Sequence, residues 1–363
     1  MQALELFLSS IRSPETRNTY SIYFKKYQEF LGFNDLFCSN NPRLIEHNII
    51  EFIIDMKAKG KGYSAIHNYT AAVLAFYKIN DIVLNVTKIN KFIPAQKKVK
   101  KDRAYTHEEI SKLLEIADER MSVIILLMAS SGIRVGALSL LRLRNLDNQN
   151  SKLTVYENDR EEYFAFITPE CKKAIDSYLD FRSRYGEKVD KSSFLLREQF
   201  DIKDPFQVRK PRPLTVTMVK CKLIDLQQRI GIRSKEVATN NGFRKFFTTP
   251  LINSKVNPEI REMLLGHKIG LASCYYRPTE EEMLNEYMKA VNNLTINEEN
   301  RLRKRVDELS EKNKDNEYII RGKLEEKDKQ IEVLAKKQEK TDLLIQSLID
   351  SGQIKPKQEI MNS

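Results

Sequence analysis

Apolar residues recur every three to four positions along most of this chain, the spacing of amphipathic helices. Thr16 suits an N-cap, and Tyr20, Tyr23, Phe24, Tyr27 and Leu31 follow on one stripe that closes at Gly32. Asn48 opens a second stripe (Ile49, Phe52, Ile53, Met56) that stops near Gly60, and Ser64 a third (Ile66, Tyr69, Val73, Phe76). These define a small helical domain over 1–93, with the aromatic stripes as its core. A capping box, Thr106 with Glu109, begins a second domain over 105–296. Its helices are expected at 107–117 and 120–130, then 169–184, 215–230, 240–253, 258–265 and 280–292. Residues 123–128 are apolar on nearly all sides, so that helix should be central, and Gly132 breaks it. Two segments, 152–157 and 162–167, alternate at the period of strands and predict a hairpin turning at 158–161. The fold class expected is mainly α with a small antiparallel β-sheet.

From 297 to 350 the pattern changes. Leu302, Val306, Leu309, Ile320, Leu324, Ile331, Leu334, Ile345 and Leu348 keep three-to-four spacing between Lys and Glu, with Asn313 and Asn316 in the seam. This predicts a long helix that self-associates as a coiled coil, weakened by Gly322. A single solvated helix held by charge pairs is the alternative. Residues 351–363 are expected to be disordered.

Charge narrows the class of partner. The 363 residues carry 61 Lys and Arg against 50 Asp and Glu, a net +11. Excess basic charge concentrates in 1–100, in a linker over 94–104 (Lys97, Lys98, Lys100, Lys101, Arg103), and between Arg209 and Lys245 (Arg209, Lys210 and Arg212 first). A solvated basic surface is the ordinary explanation of one such run. Two runs flanking one domain favour a surface that tracks a phosphate backbone, so these eight residues are candidate nucleic-acid contacts. The longest apolar run, Val123 to Ala129, is far shorter than the ~20 residues of a membrane span, and no signal-peptide pattern opens the chain. Four scattered cysteines (Cys38, Cys171, Cys221, Cys274) form neither a metal-ligand pair nor a disulfide framework, which fits a reducing, cytoplasmic setting.

Four elements carry candidate chemistry. Ser131-Gly132-Ile133-Arg134 puts an Arg at a helix start beside the buried helix. Asn241-Gly242-Phe243-Arg244 puts a second on an apolar helix. Asn257 and Pro258 start, and Gly266 ends, a helix that presents His267 from a fixed turn. Tyr276 follows nine residues later, beside Tyr275. Each alone is ordinary: surface arginines, a packed Tyr, a histidine after a cap.

Together, the order Arg … Asn-x-x-Arg … Leu-Gly-His … Tyr resembles the tyrosine recombinase (phage-type integrase) family over about 1–292, most closely from 130 to 277. The segments Tyr-Tyr-Arg-Pro-Thr-Glu-Glu-Glu-Met and Phe-Ile-Thr-Pro-Glu-Cys look similar to archaeal members. The resemblance implies a helical core-binding domain followed by a catalytic domain that clamps double-stranded DNA at a specific attachment site, with the long helix outside the core. It implies a nucleoid-associated enzyme, a homotetramer on DNA, and no metal or other cofactor. Tyr276 would be the nucleophile, with Tyr275 as its alternative, Arg134 and Arg244 the phosphate forks, and His267 a donor to a nonbridging oxygen. The chain departs from the family in two places. Asn241 stands where many members have His, and cannot take a proton near neutrality. The hairpin lysine that serves as general acid aligns with Asn158, leaving Lys152, Arg160, another lysine or water. These departures sustain the alternative of a catalytically impaired DNA-binding accessory protein. A type IB topoisomerase shares the chemistry, but the helical N-terminal segment fits integrases better.

Overall fold

The computed structural model describes residues 3–32, 41–96, 102–232, 236–270 and 275–351. The chain divides into two compact units, Met1–Lys100 and Lys101–Ser363. The expected basic residues Lys97, Lys98, Lys100 and Lys101, together with Cys38, Cys274 and nearly all of the expected disordered tail, lie outside the described residues.

The first unit contains α1 (Ala3–Ser10), α2 (Pro14–Leu31), α3 (Pro42–Ala58), α4 (Tyr63–Ile79) and α5 (Val86–Asn90). Three helix starts differ from the sequence reading. Helix α2 begins at Pro14, with Ser13 as its cap, not at Thr16. Helix α3 begins at Pro42, capped by Asn41, and α4 at Tyr63, after Gly62. In α2 and α3 the cause is Pro at the first helical position, where φ is preset and the missing N–H costs nothing. The apolar stripe starts up to two turns later, and the reading followed the stripe. The aromatic stripes form the core, with Phe24, Tyr27 and Phe76 fully buried and the Phe24 and Phe76 rings 4.2 Å apart.

The second unit is built around α7 (Glu119–Ser131), which follows α6 (His107–Glu115). Every residue from Val123 to Ser131 is buried. The short α8 (Val135–Leu138) comes next, then a three-stranded antiparallel sheet in the order β1 (Leu146–Asp147), β2 (Lys152–Val155), β3 (Tyr163–Phe166). Strand β1 is only two residues long, too short for a periodicity to reveal. The β2–β3 turn is wider than expected. Tyr156 (φ 57°) and Asn158 (φ 62°) adopt left-handed backbone, which ends the ladder at Val155 opposite Tyr163. The Glu162 carboxylate then accepts the Asn158 N–H at 2.7 Å.

Helices α9 (Pro169–Arg184), α10 (Pro205–Arg209), α11 (Val216–Arg229), α12 (Asn241–Asn253), α13 (Pro258–Leu264), α14 (Glu280–Met288) and α15 (Val291–Leu294) complete the unit. The helix expected over 280–292 is thus two pieces. Helix α7 packs against α9 and α12. Beneath α9 lies a buried ion network in which the Glu187 carboxylate receives Arg182 Nη2 at 2.5 Å and Arg197 Nη1 at 2.6 Å.

The final helix, α16 (Glu298–Asp350), runs for 53 residues. Its seam positions, among them Leu302, Val306, Leu309, Leu324, Ile331 and Leu334, are exposed. Its root is fixed: the Glu170 carboxylate accepts the N–H groups of Ile296 (2.9 Å) and Asn297 (3.1 Å). Among the described residues no helix is long and apolar enough to cross a membrane.

Candidate phosphate-binding active site

Three turns bring the basic residues together. Gly132 ends α7 in left-handed conformation (φ 60°), and a Cβ there would lie 2.5 Å from the Phe247 ring of α12. The chain can therefore turn tightly against α12, and Arg134 emerges as the residue preceding α8. In α12, Gly242 passes as closely over Tyr105, at 2.7 Å from a built Cβ. That contact seats the helix turn carrying Arg244. The third turn follows α13. The Gly266 N–H bonds to the Met263 carbonyl (2.8 Å) and the His267 N–H to the Glu262 carbonyl (2.9 Å), a Schellman closure with Gly266 at φ 63°. A Cβ on Gly266 would meet the Tyr163 ring at 2.6 Å, so the hairpin strand β3 rests on this turn.

The guanidinium groups read the backbone of these turns. Arg134 donates from Nη1 and Nη2 to the Gly266 carbonyl, both at 3.2 Å. Arg244 donates to the carbonyls of Gly132 (2.5 Å) and Leu265 (3.0 Å). Its Nη2 also lies 2.9 Å from His267 Nε2. On the other side of the ring, Nδ1 is 2.6 Å from Glu262 Oε2. Burial and the nearby Arg134 press the Arg244 guanidinium below its usual value. The Glu262 carboxyl is held below the usual range, chiefly by the hydrogen bond from His267 and then by that from Arg261. Burial pushes the Tyr163 phenol up to about 12, against the pull of Arg244 and Arg134.

Two clefts open onto this cluster. Arg134, Arg160, Tyr163, His267 and Lys268 line one; Asn241, Arg244, Lys245 and His267 line the other. His267 borders both. A concave surface with two fixed guanidinium forks, an imidazole and the ammonium groups of Lys268 and Lys245, paired with Glu161 and Asp102, is suited to hold a phosphoryl group and to stabilise added negative charge on it.

The structure thus gathers Arg134, Arg244, His267, Asn241 and Arg160. It does not bring Lys152 there: its Nζ lies 2.6 Å from Glu280 Oε2 and 4.8 Å from the Phe164 ring centre. Tyr276 lines neither cleft. It packs against the domain core, where burial and then Glu282, Glu259 and Glu286 raise its phenol above the ordinary value. Tyr275 is 91% exposed. Arg103 is not a free linker residue. Its guanidinium meets both oxygens of Glu109, at 2.6 and 2.7 Å, and its backbone bridges to Val237. Arg209, Lys210 and Arg212 are exposed around α10, and Lys210 and Arg212 border a separate polar cleft beside Arg197.

Two residues of the site escaped the sequence reading, Glu262 and Lys268. Glu262 was legible in hindsight: a Schellman turn brings the residue after the glycine against the residue five before it, so a Glu five positions before the His of a Gly-His pair stands within reach of that His. Lys268 simply follows His267.

Residues 103–282 match the phage integrase family. The chain is 23% identical over 287 residues to a tyrosine recombinase XerC of Leptospira interrogans, covering 77% of this chain and 88% of that one. It is 25% identical over 244 residues to tyrosine recombinase XerA of Pyrococcus furiosus, covering 64% and 77%. In fold it is similar to a Tn1549 transposon integrase fragment solved with circular intermediate DNA, at a TM-score of 0.55 and 19% identity, over 79% of this chain and 99% of that one. Residues 103–282 thus form a domain of the tyrosine recombinase, or phage integrase, family.

Proposed function

We propose that this chain is a site-specific DNA recombinase, the integrase of a mobile element, that cuts and rejoins duplex DNA through a 3′-phosphotyrosyl intermediate. The observation that carries the reading is the convergence of Arg134, Arg244 and His267 on the Gly266 turn, in a chain with Tyr276 nine residues beyond His267. Tyr276 attacks a backbone phosphorus and expels a 5′-oxygen. A second DNA end reverses the step, so the energy of the phosphodiester is retained and no nucleotide cofactor is needed. Arg134 and Arg244 exchange their carbonyl partners for the two nonbridging oxygens, where charge grows in the transition state. His267 donates to one of them, and Asn241, at the mouth of the Arg244 cleft, can add a neutral hydrogen bond.

Burial, and then the carboxylates around Tyr276, favour its protonated phenol. Transfer of the ring to the arginine pair would favour the phenolate, so attack and the move into the cleft go together. Lys268, which lines the Arg134 cleft at 3.7 Å from Glu161, is the ammonium best placed to protonate the departing oxygen; Arg160 beside it is too weak an acid for that role. Arg209, Lys210, Arg212 and the basic residues 97–101 hold the DNA backbone, and protomers assemble as a tetramer with α16 pairing between them.

The test uses nicked duplexes made from the DNA flanking the element that encodes the chain. A covalent adduct on a denaturing gel, lost in Tyr276→Phe and kept in Tyr275→Phe, is expected. Retention of DNA binding with no adduct from the wild type would favour the accessory-protein alternative, which the Asn at 241 and the missing hairpin lysine support.

A further inference from the structure

We infer that His267 is a proton-gated donor whose counter-charge is Glu262: an anion entering the clefts draws Arg244 off Nε2, and the imidazole takes up a proton there. This deepens the recombinase reading and rests on it for the identity of the anion.

The argument is one of donors and acceptors. A guanidinium has five N–H donors and no acceptor. Arg244 Nη2 lies 2.9 Å from His267 Nε2, so Nε2 presents its lone pair. An ionised carboxylate only accepts. Glu262 Oε2 lies 2.6 Å from Nδ1, so Nδ1 carries the hydrogen. The ring in this arrangement is the neutral Nδ1–H tautomer, and it has no proton to offer an anion. Nδ1 is committed to Glu262, which leaves Nε2 as the nitrogen an anion can engage once Arg244 leaves it.

An incoming phosphate or sulfate changes both constraints. It gives Arg244 a better acceptor than an imidazole nitrogen, a charged oxygen. It also gives Nε2 a partner that rewards an N–H. The balance is simple: the anion brings negative charge, one solvent proton adds to Nε2, and the imidazolium then donates to Glu262 and to the anion. Glu262 is a positioning residue in both states. Its carboxylate orients the ring in the neutral form and neutralises it in the charged form.

The other charges facing the ring are mostly opposed to protonation, which is why the anion is required. Arg244 and Lys245 come from α12, with Lys245 paired to Asp102 at 2.5 Å. Arg134 reaches the Gly266 carbonyl next door. Lys268 follows in sequence, and Arg160 lines the shared cleft. Against these stand Glu262, itself partly shared with Arg261 at 3.2 Å, and the hairpin carboxylates Glu161 and Glu162 across the cleft.

The experiment is a pH titration of the full-length chain, labelled with 15N-histidine, in the absence and presence of sodium sulfate. The chain has four histidines, and His267→Gln assigns the resonance. Without sulfate, the Nε2 signal at neutral pH should be that of an unprotonated nitrogen. Saturating sulfate should raise the titration midpoint by about one pH unit, and by linkage sulfate should bind about tenfold more tightly below the midpoints than above them. Glu262→Gln keeps an acceptor for Nδ1–H but removes the charge, and should lower the midpoint in both conditions. Superposable midpoints with and without sulfate in the wild type would overturn the proposal, whatever the variant does. So would a folded Glu262→Gln that titrates like the wild type. The titration involves no DNA cleavage, so its failure is distinct from failure of the adduct assay.

Discussion

Lys152 Nζ and Glu280 Oε2 lie 2.6 Å apart, so the ammonium on the first hairpin strand is tied to the first turn of the helix that follows Tyr276. It is occupied there, whereas Lys268 stands in the cleft with its side chain 73% exposed. Lys268→Ala is expected to slow cleavage by about 10²-fold, the usual worth of a positioned acid. A substrate whose departing 5′-oxygen is replaced by sulfur should restore the rate, because a thiolate leaves without a proton. Lys152→Gln should show no such selective rescue. Selective rescue of Lys152→Gln and not of Lys268→Ala would reverse the assignment.

The forks make a sharper demand on chemistry than on binding. Arg134→Lys and Arg244→Lys keep the charge but lose the planar pair of donors. Cleavage should fall by about 10²–10³-fold in each, while the affinity for duplex DNA, set by many backbone contacts, changes only a few-fold. Single-turnover cleavage and a gel-shift titration on the same DNA separate the two effects. Equal losses in both would mark these arginines as structural.

The buried network around Glu187 predicts an acid sensitivity. Arg182, Arg197 and Glu187 have side chains 0%, 2% and 1% exposed. Burial alone would raise the Glu187 pKa, but the hydrogen bonds and charges of the two arginines prevail and lower it. A carboxylate with a depressed folded pKa stabilises fully above its unfolded value, near 4.3, and that contribution is lost as pH falls through the folded value. Denaturant midpoints should therefore drop steeply below about pH 4. Glu187→Ala, which strands two buried cations, should cost about 3–5 kcal/mol at neutral pH and flatten that acid limb.

The long helix makes a prediction about mass. Its exposed seam, carried by i,i+4 pairs such as Arg303 with Glu299 and Lys336 with Glu332, gains little as a lone helix, since each such pair is worth about 0.3–0.5 kcal/mol. Deleting residues 303–363 leaves the root held by Glu170 and should lower the number of chains per particle, as light scattering reads it against the calculated chain mass. The same number of chains before and after the deletion would show that α16 does not hold copies together.

Much of this was legible beforehand. The all-apolar run 123–128 declared the central helix, and the order of Arg134, Arg244, His267 and Tyr276 declared the family. What escaped had physical reasons. Strand β1 is two residues, below any period. The hairpin turn widened because Tyr156 takes a left-handed conformation that a residue of its type rarely adopts. Glu262 joined the site through a turn closure, a relation of five residues that no hydrophobic stripe records. Lys152 looked available until the structure supplied Glu280, 128 residues away.

The three glycines next to Arg134, Arg244 and His267 have a consequence for how this chain can vary. Each presses its bare α-carbon onto an aromatic ring, of Phe247, Tyr105 and Tyr163. The spacing of the charged residues is thus set by side chains that are missing, and an added Cβ would fit only where the facing ring moved or was replaced by something smaller. In a saturation mutagenesis screen, positions 132, 242 and 266 should accept almost nothing, while Asn241 and Arg160 at the rim tolerate exchange. Lineages of this protein would be free to retune what touches DNA, but not the stage on which it is touched.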